Sequence, residues 1–518
     1  MSRNELERLA GSVLCVGFPS TNAAAVPVDE LRALGPAGIV LFARNVSTRE
    51  ATAALVARAA DAFDGPSPIV AIDHEGGRVA RLRDTEIPSM MALGASGDLE
   101  LAARAGERLG RELRAIGATV NFAPVADLAL EARNVVIGTR AFGDDPERAG
   151  AFGAALIGGL QRAGVSAVSK HFPGHGATIS DSHRELPKLT VDGTTLRARE
   201  FVPFARAITG GVRAIMLAHI VAIALDPERP ASLSPRAYAI LRRELGFDGL
   251  CITDCLEMSA IADGIGVERG APAAIAAGAD LALISHRLDR AWGARDAIAR
   301  AVEDGELPFA RLADAAERVE RFRWQLPGET LPPDDALVDV GRQIAERSIT
   351  LVRGRPSLDP ALPVTIVSFA GADAVDADEL AGDRITLNLA LRRRRIRSES
   401  MRAPLDPTPE MTAHLCELVE LQPRRTVVVA MHRAHLYDRQ RETVAALLAI
   451  APDAHVVSLA EPFDVICVPQ ARNVLCSYGD DPVSIEALAN VLAGRAVPSG
   501  RLPVRLGAGA TAEATDGV

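Results

Sequence analysis

Eight short apolar runs recur before residue 286: SVLCVGF, GIVLFA, PIVAID, ATVNFAP, VSAVSK, RAIMLAH, GLCITD and ADLALIS. Alanine- and arginine-rich stretches of helical length separate them. Runs that are apolar almost throughout belong to strands buried on both faces, the condition of parallel strands covered by helices. Eight strand–helix units in about 300 residues fit a (β/α)8 TIM-like barrel. The chain has 518 residues, more than one core ordinarily supports, so a second domain is expected.

The proline- and acid-rich WQLPGETLPPDDALVD at 324–339 lacks a long apolar run and reads as a domain edge. We therefore expect a barrel domain over 1–330, a linker over 331–345 and a smaller α/β sandwich domain over 346–518. In the second part VTIVSFA, ITLNLAL, TVVVAMH, HVVSLA, VICVPQ and VLCSYG read as strands between helices. The overall class is α/β.

A net charge of −10 argues against a nucleic-acid or anionic-membrane partner. The six cysteines are spread thinly and mostly sit in apolar runs, which suits a reducing compartment. The start, MSRNELERLAGSVLCVGF, lacks a secretory or membrane-spanning pattern, so a cytoplasmic location is expected. There is no Gly-rich phosphate loop and no G-x-S-x-G elbow, and no cofactor is expected. The arginine run in LRRRRIRSES reads as a solvated face. Nothing in the sequence sets an oligomeric state.

Polar residues gather where the first eight runs end: Arg44 and Asn45, Asp73 with His74 and Glu75, Asn121, Lys170 with His171, His219, and Asp254. In a barrel that edge carries the active site. The densest stretch is KHFPGHGATISDSHREL at 170–186, with three histidines among glycines and a proline. Three chemistries compete for it. Metal binding by His171 and His175 needs a helix to bring four-spaced imidazoles together, and Pro173, Gly174 and Gly176 oppose one; no metal is expected. A serine hydrolase would need more than Asp181, Ser182 and His183 in a row, because adjacent residues rarely converge on one reacting atom. A proton-transfer pair fits better: a histidine exchanges protons near neutral pH while a nearby carboxylate sets its tautomer and basicity.

The pattern K-H-F-P-G-H-G followed by D-S-H resembles the signature of family 3 glycoside hydrolases of the β-N-acetylglucosaminidase branch. DHEGGRVARL at 73–82, NVVIGTRAFGDDP around Arg140 and CITDCLEM around Asp254 agree with it in order and character. ERSITLVR at 346–353 and GRLPV at 500–504 are similar to the sandwich domain that some members carry.

The resemblance implies an exo-acting, retaining hydrolase that removes terminal β-linked N-acetylglucosamine, from peptidoglycan fragments, through a glycosyl-enzyme intermediate. It also implies roles. Asp254 is the nucleophile, His183 oriented by Asp181 is the acid/base, and Asp73, Arg81, Arg140, Lys170 and His171 hold the sugar. Two positions depart from the pattern: His74 stands where glutamine is common, and Cys255 where a second aspartate is frequent. These leave fine specificity open. A histidine acid/base puts less negative charge near an incoming anion, which leaves phosphate open as acceptor. The alternative is therefore a family 3 β-glycosidase or phosphorylase of other sugar specificity. A non-catalytic carbohydrate-binding protein is disfavoured because nucleophile, dyad and sugar-holding residues are all present.

Overall fold

The structure, a computed structural model, describes residues 2–179, 186–326, 334–369 and 386–507. Its first part is a closed barrel of eight parallel strands: β1 (Leu14–Val16), β2 (Gly38–Leu41), β3 (Ile69–Ile72), β4 (Val120–Asn121), β5 (Ser166–Phe172), β6 (Ala214–Leu217), β7 (Leu250–Cys255) and β8 (Leu281–Ile284). Each strand pairs with its sequence neighbour, and β8 returns to β1 with Leu14 opposite Ala282.

Alternation sorts the strand residues into two layers. Val40, Ala71, Val168, Met216, Ile252 and Leu283 fill the interior. Ile39, Val70, Ala167, Ile215, Cys251 and Ala282 face the surrounding helices. Because both layers are dry, each run is apolar at nearly every position rather than every second one.

Helix Phe309–Trp324 seals one end of the barrel. Val319 and Phe322 pack against the interior layer, and Arg323 donates to the carbonyls of Pro66 and Ser67, just ahead of β3. The N-terminal ends of the strands are thus plugged, and the polar strand ends lie at the opposite rim.

The second part is a six-stranded sheet of β9 (Thr350–Arg353), β10 (Val364–Phe369), β11 (Ser398–Ala403), β12 (Thr426–Met431), β13 (His455–Ser458) and β14 (Asn473–Cys476), in the order β9-β14-β13-β12-β10-β11. All neighbours are parallel except β9 against β14. Val428, Val457 and Leu475 pack under helices Leu387–Arg393 and Pro482–Leu492. Val429, Val456 and Val474 pack with Leu415 and Leu447 of the helices Pro409–Glu420 and Asp438–Ile450. The result is a helix–sheet–helix sandwich.

Two of the expected strands are something else. ITLNLAL forms the helix Leu387–Arg393: Thr386 caps it, Leu387, Ala390 and Leu391 are buried, and Leu389 is exposed, a helical rather than an alternating stripe. The first half of VICVPQ falls in a 3₁₀ segment, Pro462–Cys467, and the next strand begins at Asn473. Conversely, the polar SESMRA is the edge strand β11, paired along its length with β10. Arg393 and Arg394 of the arginine run pair with Glu486, so that face is only partly solvated.

The two parts are stitched together close to the polar rim. Ser89 Oγ donates to the Tyr478 carbonyl (2.7 Å), and Arg501 N–H to that of Ala95 (2.9 Å). Asp144 N–H donates to the Pro503 carbonyl (3.1 Å), and Arg505 N–H to Asp144 Oδ2 (2.8 Å).

Candidate active site

Asp73 follows β3 directly, Asn121 ends β4, Lys170 and His171 lie near the end of β5, and Asp254 is the penultimate residue of β7. All of them stand at the open rim of the barrel, where convergent strand ends bring residues distant in sequence together.

Lys170 is the centre of a buried ion cluster at this rim. Its ammonium lies 2.5 Å from Asp73 Oδ1 and 2.7 Å from Glu75 Oε1. Arg140 closes the set from the loop after β4, donating from Nε to Glu75 Oε2 (2.8 Å) and from Nη2 to Glu75 Oε1 (2.7 Å). Two cations and two carboxylates alternate, which offsets the cost of taking them out of water. Burial alone would raise the Glu75 carboxyl, but Arg140 and Lys170 outweigh it and hold it below the usual carboxylate range. Side-chain exposure is 2% for Lys170, 1% for Glu75 and 17% for Asp73, so Asp73 is the member that meets solvent.

His171 belongs to a second, adjoining network built on Asp127. Its Nδ1 lies 2.7 Å from Asp127 Oδ2, and its backbone N–H donates to the same oxygen at 3.2 Å. The backbone N–H of His175 donates to Asp127 Oδ1 at 2.6 Å. Because a carboxylate only accepts, His171 carries a proton on Nδ1. Burial pushes the His175 imidazole down to about 4, offset only in part by Asp127, so this ring is neutral at neutral pH.

The PGHG segment is closely packed. A Cβ on Gly176 would lie 1.8 Å from the Leu128 carbonyl oxygen, and Thr178 Oγ1 bonds both Nδ1 and the carbonyl of His175 (2.7 and 3.0 Å). These glycines serve close packing rather than freedom of movement.

Arg81 is buried on the loop after β3. Its guanidinium carbon stands 5.5 Å from the centre of the Phe42 ring, and Arg44 stacks on the same ring at 4.9 Å. The backbone N–H of Arg81 donates to His74 Nδ1 (3.1 Å), which places the His74 proton on Nε2, facing Thr85 Oγ1 at 2.8 Å; Thr85 in turn donates to Glu112 (2.5 Å). His74 thus spends both ring nitrogens inside the 73–85 loop, and Thr85 ties that loop to Glu112 of the helix Leu99–Ala115.

Asp254 is partly exposed, and its Oδ1 accepts the N–H of Cys255 at 2.7 Å. The adjoining peptide is fixed by His219, whose Nε2 donates to the Cys255 carbonyl (2.8 Å) while Nδ1 faces Ser232 Oγ (2.7 Å). Asp181 and His183 lie outside the described residues.

Reading the sequence misses two residues at the heart of the site. Glu75 was visible as one more strand-end acid, but its pairing with Arg140 and Lys170 spans sequence separations of 65 and 95 residues. Asp127, wholly buried, follows the apolar FAPVA and carried no motif of its own.

The second domain reaches this site through the loop that carries Arg140. His435 Nε2 donates to the Ala132 carbonyl (2.9 Å), and its Nδ1 bonds Asp464 (2.6 Å). Glu461, paired with Arg433 at 3.2 Å, sits so close to Gly138 that a Cβ there would come within 2.1 Å of Oε1.

Residues 10–322 match the family model described as the glycosyl hydrolase family 3 N-terminal domain. A β-hexosaminidase of Chromobacterium violaceum is 39% identical over 294 residues, 55% of this chain and 79% of that protein. One from Stenotrophomonas maltophilia is 37% identical over 283 residues, 53% of this chain and 83% of its own length. The solved structure of a family 3 β-N-acetylglucosaminidase from Paenibacillus sp. str. FPU-7 superposes with a TM-score of 0.88 at 36% identity, covering 97% of this chain and 99% of that one.

Proposed function

The chain belongs to glycosyl hydrolase family 3 and is a glycoside hydrolase, and on that premise we propose that it is an exo-acting, retaining β-N-acetylglucosaminidase. Its substrate is a terminal β-linked N-acetylglucosamine, released from peptidoglycan-derived fragments. The observation that carries this reading is the ion cluster of Asp73, Glu75, Arg140 and Lys170 at the open rim.

Fixed charged donors and acceptors suit a single hydroxyl pattern, because a sugar lacking one hydroxyl leaves a buried charge short of a partner. Asp73, partly open to solvent, takes hydroxyl hydrogens; Lys170 and Arg140, held by Glu75, donate to hydroxyl oxygens. His171, anchored through Nδ1 to Asp127, presents Nε2 to a further hydroxyl. Arg81, steadied by Phe42 and the His74 bond, completes the ring of sugar contacts.

In the chemical step Asp254 attacks the anomeric carbon and the C–O bond to the leaving group breaks. Protonated His183 gives its proton to the departing oxygen. The neutral imidazole, oriented by Asp181, then takes a proton from water, which displaces Asp254 and restores the β configuration. Two residues far apart in the sequence thus do what most glycosidases assign to a carboxyl pair. We take 1–330 as the catalytic unit, with 331–345 leading to the sandwich of 346–518. A cytoplasmic setting is supported by the six free cysteines, and none of the described helices is long and apolar enough to cross a membrane.

A panel of aryl β-glycosides, assayed with and without phosphate, tests the reading. The N-acetylglucosaminide is expected to be cleaved far faster than the glucoside or xyloside, with phosphate without effect. A preferred glucoside, or phosphate-dependent release of a sugar phosphate, would overturn it.

A further inference from the structure

Asp254 is followed by a cysteine, and that cysteine is part of a convergence the glycosidase reaction does not use. Cys255, Glu257 and His286 each place one ligand atom within 4.8 Å of the others, on β7, the turn after it and the residues after β8. Among the described residues this is the trio of His, Cys, Asp or Glu side chains placed to share an ion, and the histidines of 171–175 do not form one.

We propose that Cys255, Glu257 and His286 bind a single divalent cation of the Zn²⁺ class beside Asp254. One thiolate, one imidazole and one carboxylate make a borderline-soft donor set, which zinc takes and magnesium or calcium does not. The geometry is close to that of a bound ion. Glu257 Oε2 to His286 Nδ1 is 3.4 Å, against about 3.3 Å for the edge of a tetrahedron with zinc–oxygen and zinc–nitrogen bonds of about 2.0–2.1 Å. Glu257 Oε2 to Cys255 Sγ is 4.0 Å, a few tenths of an ångström wider than such an edge.

The ligands are also positioned for the purpose. The His286 backbone N–H donates to Glu257 Oε2 at 2.6 Å, which ties the carboxylate to the strand carrying the imidazole. Ser285 Oγ stands 2.8 Å from Cys255 Sγ and 2.8 Å from His286 Nδ1. Both contacts accommodate the direction thiol to hydroxyl to imidazole, in which Nδ1 is unprotonated, as a metal requires. Cys255 is buried while the His286 side chain is half exposed, so the site has solid walls and an entrance.

When the ion binds, the S–H bond of Cys255 breaks, its proton passes to solvent and a sulfur–metal bond forms. Ser285 Oγ or a water takes the fourth position. The site stands independently of which sugar the enzyme cleaves.

Equilibrium dialysis of the full-length protein against ZnCl₂, followed by elemental analysis, is expected to give one zinc per chain. Co²⁺ in its place is expected to give a thiolate-to-metal charge-transfer band. His286→Ala changes a half-exposed residue and leaves the fold intact; it should weaken zinc binding by at least about tenfold. Cys255→Ser should abolish the charge-transfer band. Absence of stoichiometric zinc, a cobalt spectrum without that band, or undiminished binding by His286→Ala would each overturn the site.

Discussion

Glu75 holds the guanidinium of Arg140 in a two-point pair, 2.8 Å from Nε to Oε2 and 2.7 Å from Nη2 to Oε1. Both side chains are buried, so the charge of each depends on the other and on Lys170.

Glu75→Gln keeps the shape of the side chain but removes the counter-charge of two buried cations. Breaking a buried pair in this way costs about 3–5 kcal/mol, far more than the pair contributes relative to an apolar replacement. Urea unfolding followed by the fluorescence of Trp292 and Trp324 should show a loss of that order. A loss under about 1 kcal/mol would mean that the cluster is solvated.

His175 makes the folded protein acid-labile. Its folded value of about 4 lies below the ordinary 6.5, so between those values the unfolded chain binds more protons than the folded one. Stability therefore falls as pH drops from about 6.5 towards 4, by about 3 kcal/mol at most. His175→Asn, which cannot take the proton, should flatten unfolding midpoints measured over that window; an unchanged slope contradicts the assignment.

The second domain should matter to substrate affinity through the Arg140 loop. Gly138 has φ of +45°, and a Cβ there meets Glu461. Gly138→Ala should push the loop off Glu461 and move Arg140, cutting kcat/KM by between about 10- and 100-fold, mostly through KM. His435→Ala, which loses the bond to the Ala132 carbonyl, should shift KM in the same direction by a smaller factor. Steady-state kinetics with unchanged KM for both variants would separate the domain from the site.

How far the sequence reveals this molecule depends on what each residue contacts. The barrel strands are legible because dry packing on both faces leaves an unbroken apolar run, as in LALI of β8. ITLNLAL misleads because leucines at 387 and 391 satisfy a helix as well as a strand, and only burial distinguishes them. β11 escapes notice because an edge strand can be polar. At the site, Asp73, Lys170 and Asp254 stand out as charges that end apolar runs. Glu75 and Asp127 act through buried partners far away in sequence, which no local pattern encodes. Gly176 looks like a pivot because glycine allows both motion and close approach, and the Leu128 carbonyl decides for the second.

The acid/base role proposed for His183 predicts that substrates separate by leaving group. His183→Ala should slow cleavage of chitobiose by about 10²–10⁴-fold. An aryl glycoside with an acidic phenol should be affected much less in the glycosylation step, because it needs little protonation. Equal losses on the two substrates would assign the proton to another residue.

The most direct test of the central claim is to trap the covalent intermediate. A 5-fluoro N-acetylglucosaminyl fluoride slows hydrolysis of a glycosyl-enzyme, and peptide mapping by mass spectrometry then locates the sugar. One adduct is expected, on the peptide that carries Asp254, and Asp254→Ala should form none and lose turnover by about 10⁴-fold or more. An adduct on another residue, or near-normal turnover by Asp254→Ala, would contradict the assignment.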